Sequence, residues 1–187
     1  VADDTDDATL ACRAAAGCVE SFAALARRHQ VPVVHYVRRL ATYSGIDADD
    51  VAQDAFLQAW RRIGDYDHRW AFSTWLFTIA RRTWLNAVRA SRRRRVREAA
   101  VATAVVGGEE PIAGVIANEE ATRLWDAARA ELKEREFTAV WLRYVEGKTM
   151  AEIAAVLDRP VATVKVMLFR ARRRLEPLVQ DLIGWGE

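Results

Sequence analysis

Between His68 and Arg97 the chain carries nine arginines and five large aromatics (Trp70, Phe72, Trp75, Phe77, Trp84) and no acidic residue. Guanidinium groups neutralise phosphates and aromatic rings stack on unpaired bases, so these types interleaved in one segment suit a melted nucleic-acid strand better than an intact duplex. The flanks have the opposite character: residues 1–67 hold eleven acids against seven bases, and residues 98–136 nine against four. A formal net charge of +2 over 187 residues thus conceals a basic, partner-facing strip between acidic segments.

Residues for other chemistry are sparse. Cys12 and Cys18 have five residues between them, form no CxxC pair and have no histidine nearby in sequence, which reads as two reduced structural thiols. His29, His35 and His68 are scattered, and no glycine-rich phosphate loop or nucleophile motif occurs, so no cofactor, metal or catalytic centre is expected. A nuclease or deaminase would need carboxylate or metal clusters that the basic segments lack. No apolar run approaches the roughly 18 residues of a membrane span, and the opening VADDTDDATL is acidic rather than signal-like. The expected location is the cytoplasm.

The strip needs a scaffold, and apolar residues at helical spacing almost throughout predict an all-α chain of two small helical domains. The first block, to about Arg95, should contain helices near 9–16 and 19–29, one opening at Pro32 in a first-turn position, and longer ones near 48–63 and 72–91. Asp47 suits the N-cap of the fourth, with Asp49 and Asp50 favourably placed against the helix dipole. Residues 96–118 lose periodicity and gather Gly107, Gly108, Pro111 and Gly114, which predicts a flexible linker. Its Val101, Val105, Val106, Ile112, Val115 and Ile116 suit either docking on a partner or packing on the chain's own domains. The second block, 119–187, reads as helices near 119–131, 134–145, 150–157 and 161–180.

The last two of these form a helix-turn-helix. Thr149 and Glu152 make a capping box, Ile153, Ala154 and Leu157 point inward, and Asp158-Arg159-Pro160 breaks the helix. In the next helix Val161, Val164, Leu168, Ala171 and Leu175 share one apolar arc. Opposite lie Val166, Phe169, Arg170 and Arg173, flanked by Thr163 and Lys165. An outward Val and Phe beside arginines make a poor solvated face and a good base-edge surface. Upstream, the 48–63 helix turns Val51, Ala55, Phe56, Ala59 and Ile63 inward and shows Asp50, Gln53, Asp54, Leu57 and Arg61 on another face. That face suits either solvent or a basic partner helix with Leu57 as the buried contact. Within the strip, Asp67–Ala71 reads as a loop. Trp75, Leu76, Ile79 and Leu85 turn inward along the following helix, while Arg81, Arg82, Asn86 and Arg89 turn outward.

Taken together, DADDVAQDAFLQAW, FSTWLFTIARRTWLNAVR followed by RRRR, and KTMAEIAAVLDRPVATVKVMLFRARRRL resemble the extracytoplasmic-function class of bacterial sigma factors, in an order that covers nearly the whole chain. The resemblance implies a promoter-specificity subunit of RNA polymerase without an active site. Residues 1–95 would be sigma region 2, 96–118 the linker and 119–187 sigma region 4. It implies that Asp50, Gln53, Asp54 and Leu57 dock on the coiled coil of the polymerase's largest subunit, with the flap as a further polymerase contact. Trp70, Phe72, Arg81, Arg82, Asn86 and Arg89 would open the minus-ten element and hold a flipped non-template base. Thr163, Lys165, Val166, Phe169, Arg170 and Arg173 would read the minus-thirty-five element. An anti-sigma factor, in some cases a membrane protein, commonly restrains such proteins. The chain departs from the family pattern with Arg82 where a small or polar residue is common, Val166-Met167 in place of a Ser-Arg pair, and Lys133 in place of a proline. The competing expectation is a conventional helix-turn-helix regulator that dimerises on a palindromic duplex without polymerase.

Overall fold

The computed structural model describes the backbone of residues 5–99 and 119–183, with side chains over 5–97 and 121–180. The described residues are helical and contain no strand, and the chain divides into two compact units between residues 106 and 107.

The first unit comprises α1 (Asp7–Ala15), α2 (Val19–Ala41), α3 (Ala48–Arg61), a 3-10 turn (Ile63–Asp65) and α4 (Phe72–Ala99). Instead of a break and a new helix at Pro32, α2 runs through that residue. An interior proline costs a helix about 3 kcal/mol. Leu25, Val33, Tyr36, Val37 and Leu40 nevertheless keep one helical period across it and are almost completely buried, at about 1.5–3 kcal/mol for each large apolar side chain. Tertiary packing therefore outweighs the local penalty. Helix α3 starts where expected: the Asp47 carboxylate accepts from the amides of Asp49 (2.8 Å) and Asp50 (3.1 Å). Its buried face is Val51, Ala52, Ala55 and Ala59, small residues that let α2 and α4 pack against it.

Helix α4 extends to Ala99, beyond the expected end near residue 91 and into the first residues of the expected linker. No glycine or proline occurs between Phe72 and Val106, and arginine is a good helix former, so nothing local stops the helix. Its tail is tied back to the α2–α3 turn, where Arg95 Nη2 donates to the Ser44 carbonyl at 3.3 Å. The rest of the expected linker, with its suggested docking residues, lies outside the described residues.

The second unit comprises α5 (Glu119–Glu131), α6 (Glu134–Tyr144), α7 (Met150–Leu157) and α8 (Val161–Ile183). Its core gathers Phe137, Val140, Trp141, Ile153, Val156, Leu157, Val164, Leu168 and Ala171, with Trp125 edge-on to Trp141 at 4.9 Å. The capping box is present: Glu152 N donates to Thr149 Oγ1 (3.3 Å) and Thr149 N to Glu152 Oε2 (2.9 Å). Asp158 ends α7 in the left-handed region (φ 53°), and the Pro160 carbonyl takes the Val164 amide at 3.1 Å to begin α8. Val161, expected in the core, is 38% exposed. It is the first residue of α8, a turn before the apolar arc meets α6 and α7.

Candidate nucleic-acid interface

Three surfaces carry the residues singled out from sequence. On α3, Asp50, Gln53, Asp54, Leu57 and Arg61 are all exposed, and Leu57 keeps 47% of its surface in water. Asp49, the neighbouring acid, is instead engaged by Arg38 through two 3.0 Å hydrogen bonds, which hold its carboxyl below the usual range. The outward carboxylates of the face are thus Asp50 and Asp54, one helical turn apart.

The loop after the 3-10 turn is braced from both ends. Asp67 accepts from the amide (3.0 Å) and the Nε (2.7 Å) of Arg69, and Trp70 N donates to the Asp67 carbonyl at 3.2 Å. The Arg69 side-chain bond, followed by its amide, holds the Asp67 carboxyl below its ordinary value. From beneath, the Tyr66 hydroxyl donates to the Trp70 carbonyl at 2.7 Å. Burial, reinforced by Asp7 and Asp67, raises the Tyr66 pKa and keeps that phenol a donor. Trp70 stands half-exposed on this support.

Two expectations on α4 need correction. Phe72 is 2% exposed and Arg81 is 6% exposed, so neither is presented as a strand-contacting side chain. Phe72 opens α4 but is enclosed by rings from three other positions: His29 at 5.4 Å, Tyr66 at 5.6 Å and Trp75 at 5.6 Å. Arg81 follows Phe77 at i+4 and precedes Trp84 at i+3, both buried, and this spacing puts it on the core face. No fully buried side-chain nitrogen or oxygen among the described residues lacks a hydrogen-bond partner, as a buried guanidinium requires. The Phe77–Arg81–Trp84 spacing was a signal that sequence reasoning passed over. Arg82, Asn86 and Arg89 are exposed, as expected. At about 100° per residue they fall, with half-buried Trp75 and exposed Arg93, within roughly 60° of one another along α4. Arg89 Nη1 donates to Asn86 Oδ1 at 3.1 Å, which links these two exposed side chains along the stripe.

On α8, Thr163, Lys165, Val166, Phe169, Arg170 and Arg173 are all exposed, Val166 at 50% and Phe169 at 61%. The arginine run divides by role. Arg172 bonds the Tyr144 hydroxyl and lies over its ring at 5.4 Å, while Arg174 Nη1 reaches Glu136 Oε2 at 2.7 Å, so these two fasten α8 to α6. Arg173 alone of the three shares the face of Val166 and Phe169. Sequence reasoning also missed the border of this face: an open groove of mixed charge, lined by Lys133, Glu134, Arg135 and Glu136 from the start of α6 and by Val166 and Arg170 among others from α8, runs between the two helices. Among the described residues no cluster of three or more metal-ligating side chains occurs, and no helix is long and apolar enough to cross a membrane.

The family of sigma-70 region 2 matches residues 25–94, and that of sigma-70 region 4 matches residues 123–175. The chain belongs to the sigma-70 family. Within that family its relatives are extracytoplasmic-function (ECF) factors. The ECF RNA polymerase sigma-E factor of Haemophilus influenzae is 31% identical over 192 residues, covering 98% of this chain and 100% of the relative. The RNA polymerase sigma factor CnrH of Cupriavidus metallidurans is 33% identical over 184 residues, covering 92% and 94%. The solved structure of CnrH in complex with the cytosolic domain of CnrY superposes with a TM-score of 0.67 at 27% identity, over 94% of this chain and 97% of that one. As an ECF sigma factor the chain is a transcription initiation factor that works with RNA polymerase on promoter DNA. The region 2 match spans α3, the braced loop and α4 up to Arg94, and the region 4 match spans the helix-turn-helix.

Proposed function

We propose that this sigma factor, with no catalytic centre of its own, acts in the cytoplasm by three contacts. The face of Asp50, Gln53, Asp54 and Leu57 docks on a basic coiled coil of the largest polymerase subunit, and the second unit engages the flap. Trp70, Arg82, Asn86 and Arg89 take the melted non-template strand of the minus-ten element. Thr163, Lys165, Val166, Phe169, Arg170 and Arg173 enter the major groove at the minus-thirty-five element. Residues 1–95 and 119–187 serve as the two functional domains, with 96–118 between them.

The observation that carries this reading is the α4 stripe: a half-exposed tryptophan on a braced loop, followed by aligned exposed Arg82, Asn86 and Arg89 with no acid among them. Flipping a base costs a few kcal/mol, which an already ordered ring and hydrogen-bonding side chains return. In place of a Ser-Arg pair, Val166 offers apolar contact to thymine methyls and leaves the guanine-type contacts to Arg170 and Arg173. CnrH is solved with the cytosolic domain of another protein, and we infer comparable control here, by an anti-sigma factor that covers these DNA-facing surfaces.

The test uses holoenzyme reconstituted with core polymerase. Trp70→Ala and Arg82→Ala should each slow open-complex formation about tenfold or more while leaving closed-complex affinity within about threefold, since stacking is worth roughly 1–3 kcal/mol per base. Equal loss in both steps removes the melting role. A dimer that occupies a palindromic duplex without polymerase would point to the conventional regulator instead.

A further inference from the structure

Helix α1 lies before residue 25, where the region 2 match begins. It reaches the braced loop by two routes, one through α2 and one direct. Asp7, its first residue, holds two consecutive side chains of α2: Oδ1 accepts from Arg28 Nη1 at 3.0 Å, and Oδ2 stands 2.7 Å from His29 Nε2. A carboxylate so placed fixes the rotation of the imidazole, whose ring packs on Phe72 at 5.4 Å. Phe72 packs on Tyr66, and the Tyr66 hydroxyl holds the Trp70 carbonyl. At the other edge of the loop, Cys12 Sγ lies 3.6 Å from His68 Nε2, and the His68 ring stands edge-on to Tyr66 at 4.6 Å.

We propose that α1 is a positioning element for strand opening, in which Asp7, acting through His29, Phe72 and Tyr66, sets where Trp70 stands. This rests on the reading above that Trp70 meets the melted strand. Helix α1 is well suited to transmit position because it is itself anchored. Leu10, Ala11 and Ala14 are buried, and Asp6 caps the helix by accepting from the Thr9 amide (2.9 Å) and hydroxyl (2.7 Å). A ring on a short loop recovers the cost of base extrusion only when its orientation is already ordered; ordering it at the moment of contact would consume much of the stacking energy. Without the Asp7 carboxylate, Arg28 keeps the Thr5 carbonyl as an acceptor, but the His29 imidazole loses the group that fixes its rotation, and Phe72 loses the fixed wall behind it.

The experiment compares parent, Asp7→Ala, Asp7→Asn and Trp70→Ala. Holoenzyme on a promoter carrying 2-aminopurine in the non-template minus-ten strand reports opening, and amide exchange on the full chain reports loop order. Asp7→Ala should slow opening about tenfold with closed-complex affinity within about twofold, the scale of losing a charge-assisted hydrogen bond at a partly exposed site. Exchange at the Arg69 and Trp70 amides should rise by a similar factor while α3 and the rest of α4 stay as protected as in the parent. Asp7→Asn, whose single side-chain oxygen can replace only one of the two carboxylate contacts, should recover part of both. Unchanged opening and unchanged exchange in Asp7→Ala overturn the proposal when Trp70→Ala is impaired. Exchange raised throughout α2, α3 and α4 overturns it too, since Asp7 would then support the fold as a whole. If Trp70→Ala opens normally, the reading of the loop itself fails, and the exchange data alone decide whether Asp7 orders it.

Discussion

Reversing the charges of the α3 face separates docking from folding. Leu57 leaves 47% of its surface in water, and full burial of a leucine is worth about 1.5–3 kcal/mol, so covering the remainder contributes roughly 1 kcal/mol. Leu57→Ala should therefore weaken binding to core polymerase about threefold to fivefold. Asp54 faces outward from the same side, beyond the first turn of α3. At about 5 Å from a partner cation, with an effective dielectric constant between water and a protein surface, its interaction is worth roughly 1–3 kcal/mol, and Asp54→Arg converts that attraction to repulsion. A loss of at least about thirtyfold is expected for Asp54→Arg, shrinking as salt rises from 0.1 to 0.5 M because rim charges are screened.

Asp50→Arg should weaken binding similarly but also destabilise the first unit by about 0.3–1 kcal/mol, because Asp50 sits in the first turn of α3, where a cation opposes the helix dipole. Asp54→Arg should leave the urea midpoint unchanged, since its side chain points into solvent, whereas Leu57→Ala should cost the first unit about 1 kcal/mol or less, because about half of that residue is already covered. The assay is competition between labelled parent and each variant for core polymerase at three salt concentrations. Asp54→Arg and Leu57→Ala that both compete within twofold of the parent would refute the docking face. So would a loss for Asp54→Arg that is independent of salt.

Three further outcomes follow from the positions of individual side chains. Phe72→Ala should cost about 3–5 kcal/mol of stability in the first unit by leaving a cavity among His29, Tyr66 and Trp75, whereas Trp70→Ala should cost under about 1 kcal/mol; equal midpoints in chemical denaturation would contradict the burial of Phe72. Arg173→Ala should lower duplex affinity and reduce the slope of log affinity against log salt by about one, while Arg172→Ala and Arg174→Ala should mainly loosen α8 from α6; three indistinguishable salt slopes would remove that division. Because the folded Asp67 carboxyl is held below its ordinary value by Arg69, its contribution to loop order is fully present above about pH 3.9 and is lost as pH falls through the lower folded value. An NMR titration of Asp67 with a midpoint at or above 3.9 would contradict the clip.

The order of helices, the helix-turn-helix and the acidic face were legible because their signals are local. Thr149 and Glu152 are three residues apart, Asp158-Arg159-Pro160 is contiguous, and Val166, Phe169, Arg170 and Arg173 recur on one helical face. Misreadings arose where distant residues decide. Pro32 looked like a helix start because the penalty is local, while the burial of Tyr36, Val37 and Leu40 that offsets it depends on α3 and α4. Phe72 looked like a loop aromatic because its enclosing rings include His29, which is 43 residues away. Arg81 was read by its charge rather than by its spacing from Phe77 and Trp84. The reach of α4 to Ala99 follows from the absence of a stop signal, which is harder to weigh than its presence.

These corrections alter what the basic strip can do. With Phe72 and Arg81 withdrawn into the core, the strip becomes a helix with one stripe, which runs from half-buried Trp75 to exposed Arg82, Asn86, Arg89 and Arg93. Trp70 is offered to one side of it from a loop pinned by Tyr66 and Asp67. A stripe of this form has one direction, from an aromatic end fit for unpaired bases to an arginine end fit for phosphates. The buried residues give it that form: a strip with every aromatic and arginine exposed would bind any strand in many registers. Here only a few groups are presented, and on the proposed reading their spacing along one helix limits where opening starts. On the proposed reading, selectivity for one position in a promoter depends as much on Phe72 and Arg81, buried inside the fold, as on the side chains proposed to meet DNA.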